Sequence, residues 1–186
     1  MESFSYVSVL LSIVLGLAIT QVLQGIRGLI LTRAKVKLYL PTLLWAGFAL
    51  LLAIQAWWAS FSMRTYTKWT FFALLVIILQ MISIYMVAAL VLPDVTRDEF
   101  VDLRDHYFAH RSWFFGAAFG SAFFSLAKDV ALYGRLPAPI DSIFLSIFGL
   151  AAIAGAITRN EWFHQLMVPA MSLLFLFYIA LLFARL

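Results

Sequence analysis

WTFFALLVIILQMISIYMVAALVL, residues 69 to 92, contains no acidic or basic side chain and is followed at once by Pro93. A hydrocarbon layer of about 30 Å takes about 20 apolar residues to cross as a helix, so the run is long enough to span one. A transmembrane strand would need about ten residues of alternating polarity, which this continuous run does not show. Five further runs share its character, at about 4–31, 41–62, 112–133, 140–157 and 162–184. The predicted fold is therefore all-α: a polytopic membrane protein with a six-transmembrane-helix bundle, its 186 residues forming one integral membrane domain.

Composition agrees with the pattern. The chain is 65% hydrophobic and 12% charged, with a mean hydropathy of +0.99. A soluble domain of this size could not cover so much apolar surface with so few charges, which excludes a cytosolic enzyme and a disordered tail. The net charge of +4 comes from basic residues scattered between the apolar runs, whereas nucleic-acid binding needs them clustered on one face. The absence of cysteine removes disulfides, thiolate metal sites and cysteine nucleophiles. No phosphate-binding loop, nucleophile elbow, H-E-x-x-H or Gly-rich dinucleotide fingerprint is present.

Turn residues punctuate the runs. Pro41 suits the first turn of helix two, Pro93 closes helix three, and Gly134 with Pro137 and Pro139 closes helix four. Thr96 with Glu99 and Thr158 with Glu161 have capping-box spacing. Residues 93–111 place Phe100, Leu103 and Tyr107 on one face, a short amphipathic segment before helix four that would rest on the interface or extend that helix. The first run lacks the basic flank and A-x-A cleavage site of a signal peptide and is expected to remain as the first span. Arg27, Arg33, Lys35, Lys37, Arg97, Arg104, Arg111 and Arg159 fall on one side, against Arg64, Lys68, Lys128, Arg135 and Arg185 on the other. By the positive-inside rule both termini are expected outside, in the cytoplasmic (inner) membrane if the source is bacterial. Trp57, Trp58, Trp69, Trp113 and Trp162 lie near span ends, where aromatic belts form.

Helix one carries Ser5, Ser8, Ser12, Gly16, Thr20, Gln24 and Arg27 at spacings of three or four, one polar stripe with Gln21 beside it. Such a stripe reads as a helix contact, in which small residues let backbones approach, or as the wall of a polar pathway. Gln55, Gln80 and Ser83 are candidate partners, Gln80 lying at the centre of its run. Gly116 with Gly120, and Ala151 with Gly155, are small-x-x-x-small pairs suited to close helix packing, within the chain or in a homo-oligomer. Lys128 and Asp129 near the end of helix four read first as a snorkelling lysine with a capping or paired aspartate, and second as a proton relay.

His106, His110 and His164 fall on one side of the expected topology. Together with Glu161 they are the candidate metal ligands, since H-x-x-x-H and E-x-x-H place side chains on one helix face, with Asp102 and Asp105 near enough to join them. Solvated or headgroup-bonded histidines, and a capping role for Glu161, are the plainer reading, so no cofactor is predicted. Desaturase chemistry would need more histidines than three, and haem ligation a histidine deep in a span.

Because polar residues run the length of helix one, the expectation is a channel or carrier for an ion or small solute. The alternative is a non-catalytic membrane module that self-associates or joins a partner membrane protein, and a metal-dependent membrane enzyme comes third. The lipid bilayer is the expected partner. Single cysteines at Lys35 and Thr65 should react with a membrane-impermeant thiol reagent from opposite sides, Lys35 from the cytoplasm; labelling of Lys35 from outside intact cells would reverse the topology.

Overall fold

The computed structural model describes residues 3–94 and 100–182. Six helices account for the six apolar runs: α1 (Ser3–Leu31), α2 (Leu40–Ser60), α3 (Phe71–Val91), α4 (Leu103–Tyr133), α5 (Pro139–Ile157) and α6 (Glu161–Leu182). All six are long and apolar enough to cross a membrane. Their ends follow local chemistry. Thr70 caps α3, its hydroxyl accepting from the Ala73 amide at 3.1 Å, and Pro93 stands two residues beyond the last turn. Pro41 sits in the first turn of α2. Gly134 ends α4 at φ +66°, the left-handed conformation that a residue without a Cβ adopts freely.

Of two helix starts, one follows an expected alternative and one differs. The amphipathic stretch extends helix four, as one of its two readings had it: α4 begins at Leu103, where the Asp102 carboxylate accepts from the Arg104 and Asp105 amides at 2.9 and 3.4 Å. The fall in hydropathy at 103–111 marked a change of surroundings and not an end of helix, and Phe100 lies outside α4. Nor does Glu161 close a capping box with Thr158. Asn160 caps α6 by accepting from the Trp162 amide at 3.0 Å, while the Glu161 carboxylate accepts from Arg104 Nη2 at 2.8 Å. The Thr96–Glu99 pair lies outside the described residues.

The loop after α1 and the segment before α4 meet in a two-residue parallel bridge, Val36 opposite Val101 and Lys37 opposite Asp102. Lys37 Nζ donates to Asp102 Oδ2 at 2.8 Å, and this bond holds the Asp102 carboxyl below its ordinary value of 3.8.

Helices α2, α3, α4, α5 and α6 contact in sequence order and α6 returns to α2, closing a five-helix ring. The α3–α4 and α4–α5 contacts are the most extensive and α5–α6 the least. Helix α1 packs on the outside of the ring, against α2 and α3, through Leu11, Leu15, Ala18 and Val22. At one end of the bundle, the His164 end, Arg104 of α4 meets Glu161 of α6. At the other, the Lys128 end, Tyr178 of α6 meets Asp141 of α5. The outward faces carry large exposed apolar side chains, among them Ile13, Leu75, Phe123, Leu150 and Leu173.

Glycine sets the closest approaches. A Cβ on Gly155 would stand 2.8 Å from the Phe115 ring, and one on Gly25 would stand 2.7 Å from Leu92 Cβ, whereas one on Gly116 would meet nothing within 4 Å. Gly155→Ala should therefore cost roughly 1 to 3 kcal/mol through overpacking while Gly116→Ala is neutral. Unfolding of the purified variants in micelles measures both, and equal stabilities would show that the α4–α5 approach does not depend on the missing Cβ.

Candidate functional site

A chamber of about 210 Å³ lies inside the five-helix ring. It runs from exposed Ser62, past half-buried Ser125, Lys128, Asp129 and Asp141, to buried Trp45 and Phe115. One end is thus a polar mouth and the other a closed aromatic floor. Between them Gln55, Gln80 and Ser121 contribute polar groups to walls that are otherwise mostly aliphatic, aromatic and methionine side chains. Gln80 is only 7% exposed, and its Oε1 has no hydrogen-bond partner. That acceptor is costly to leave so.

At the mouth, the Tyr178 hydroxyl donates to Asp141 Oδ1 at 2.6 Å, tying α6 to the first turn of α5. The Asp129 and Asp141 carboxylates both act on the charge of Lys128, yet neither comes within 4.0 Å of its ammonium. From Tyr178 an aromatic series runs inward: Phe175 stacks on Tyr178 with centroids 6.1 Å apart, Phe148 lies 5.7 Å from Phe175, and Phe48 lies 4.6 Å from Phe175.

Below the floor lie packed rings beside a small gap of about 10 Å³ lined by Trp45, Tyr107 and Phe114. Phe115 stands 5.6 Å from Trp45 and 5.7 Å from His164, ring to ring. His164 is fully buried between the Thr158 carbonyl, 2.9 Å from Nε2, and the Tyr107 hydroxyl, 2.8 Å from Nδ1. A carbonyl can only accept, so in the neutral ring Nε2 carries the proton and Nδ1 accepts from Tyr107. Arg111 Nε also donates to the Thr158 carbonyl, at 3.1 Å.

The candidate residues from the sequence separate cleanly. Ser5, Ser12, Gly16, Thr20, Gln24 and Arg27 are exposed on α1, which packs outside the ring. Ser12 accepts from Trp57 Nε1 at 3.2 Å, and Gln21 donates to the Tyr85 hydroxyl at 3.2 Å. Of the proposed stripe partners, Gln55 and Gln80 are in the chamber wall, while the Ser83 hydroxyl bonds back to the Leu79 carbonyl and would lie 3.0 Å from a Cβ on Gly120. Gly120 therefore faces α3 and Gly155 faces α4, Ala151 contributes to the chamber wall, and Gly116 is exposed. Lys128 and Asp129 belong to the chamber mouth and do not form the close pair read from sequence. The His106 and His110 rings lie 4.5 Å apart, tilted by 33°, and bond to the Leu90 and His106 carbonyls. Among the described residues no three His, Asp or Glu side chains converge as metal ligands.

Sequence reading did not find Asp141, Tyr178 or the aromatic walls. Asp141 and Tyr178 are 37 positions apart and on different helices; the one available signal was ionisable residues inside apolar helices, which in such surroundings mark function. The geometry defines a six-helix bundle with a chamber open at one end. No family model, curated protein or solved structure matches the chain.

Tyr107→Phe would leave His164 Nδ1 buried without its donor, a loss of about 1 to 3 kcal/mol. Denaturant unfolding checks it, and a change under about 0.5 kcal/mol would show that the hydroxyl does not secure the floor.

Proposed function

We propose that the chain is an integral membrane protein that binds a small solute inside its five-helix ring, in the manner of a carrier held open to one side. The observation that carries this reading is the chamber: polar at an accessible mouth, apolar within, and closed by Trp45 and Phe115. A carrier is favoured over a channel because the rings of Phe115, Tyr107 and His164 pack together beyond the chamber's inner end. Membrane insertion is supported by the length of the six helices and by the apolar girdle on their outward faces, which water would not tolerate. The polar stripe of α1, being outside the ring, is not the route in this proposal.

That same stripe favours a second reading, a module that associates through α1. Gly16 and Thr20 are exposed small residues on α1, and a Cβ on Gly16 would meet nothing within 4 Å among the described residues.

The first reading is tested with a cysteine at Ser121, deep in the chamber wall of a cysteine-free chain. In oriented vesicles a small charged thiol reagent should modify it from the Lys128 side and not from the His164 side. Reaction from neither side would remove the chamber as a binding site, and reaction from both would make the protein a channel.

A further inference from the structure

We infer that the chamber takes a small organic cation, its ammonium group held between Asp129 and Asp141 at the mouth and its aromatic or branched alkyl body lying among Phe48, Phe148 and Phe175. The inference rests on the solute-binding reading and names the class of solute.

Three observations point the same way. The mouth sets two carboxylates, Asp129 and Asp141, against a single ammonium, Lys128. Asp129 lies near the C-terminal end of α4 and Asp141 in the first turn of α5, so the two helix dipoles offset each other and the side-chain charges decide. Next, aromatic rings lead from the carboxylate into the interior without a break. Tyr178 donates to Asp141 and stacks on Phe175, and Phe175 meets Phe148 and Phe48. The faces of such rings attract cations and repel anions. Finally, the buried Gln80 contributes an unpaired acceptor, Oε1, to the wall, which a donor on the solute can engage.

A carboxylate-bearing solute would have Lys128 as the basic side chain lining the chamber to receive it, with Arg135 acting on Asp129 from outside the lining, against two like charges and the negative faces of the rings. Lys128 acts instead as an internal competitor. It shares the field of the two carboxylates without closing an ion pair on either, so an entering ammonium meets acceptors that are not already engaged by it.

The test uses the full chain with cysteine at Ser121, in nanodiscs, and two probes of similar size and opposite charge, benzyltrimethylammonium and phenylacetate. Benzyltrimethylammonium should slow modification of the cysteine in a saturable way, and phenylacetate should not. Asp129→Asn and Asp141→Asn should each raise the half-protecting concentration by about tenfold or more, as expected for loss of a partly desolvated charge contact. Asn at 141 can still accept from Tyr178, so the α5–α6 tie survives. Lys128→Gln should lower the half-protecting concentration. Protection by phenylacetate that disappears in Lys128→Gln would overturn the cation assignment and leave the chamber reading standing, as would a reactive cysteine that neither probe protects. A cysteine that does not react at all removes the chamber reading and this inference together.

Discussion

The Phe115 ring resting on the bare backbone of Gly155 is the contact on which most of the architecture turns. Helices in a hydrocarbon solvent gain nothing from hiding apolar surface, so their association depends on close packing and on polar groups that need partners. At Gly155 the absence of a Cβ lets a whole aromatic ring fill the gap between α4 and α5. The same ring, 1% exposed, is the floor of the chamber and the cover of His164. One residue thus joins two helices, ends a cavity and keeps a buried imidazole dry.

The six helices were legible because the thickness of a bilayer imposes a length that no local sequence preference can imitate. Their facing was not. The hydroxyl stripe of α1 suggested an inward surface on the premise that polar groups in lipid require another helix. Thr20 meets that requirement at home by donating to the Gly16 carbonyl at 2.8 Å, and Ser8 by donating to the Ser5 carbonyl at 3.0 Å. A side chain satisfied by its own helix can face any direction. The chamber was invisible for the opposite reason. Gln80, Ser121, Asp141 and Tyr178 come one from each of four helices, and periodicity along a single helix says nothing about what gathers between several.

Charge is used differently at the two ends of the bundle. At the His164 end it is spent on fastening: Lys37 with Asp102, and Arg104 with Glu161 while the same guanidinium sits 5.4 Å above the Phe108 ring. At the Lys128 end Lys128, Asp129 and Asp141 line the chamber and no such fastening closes on Lys128. The seam between α5 and α6, the most sparsely packed in the ring, ends at that same mouth and is tied there by Tyr178 and Asp141. Rigidity is thus concentrated at the closed end, and the groups suited to meeting a ligand lie where the ring is loosest.

The small parallel bridge has a bearing on how the protein is made. Lys37 and Asp102 are 65 positions apart, so the ribosome must synthesise the second and third helices and reach the threshold of the fourth before the first hairpin has anything to clip to. Contacts available before that point are those among α1, α2 and α3 themselves, including Gln21 with Tyr85 and Trp57 with Ser12. The backbone pairing of Val36 with Val101 can form only once both segments exist, and it brings two loops together beside the start of α4.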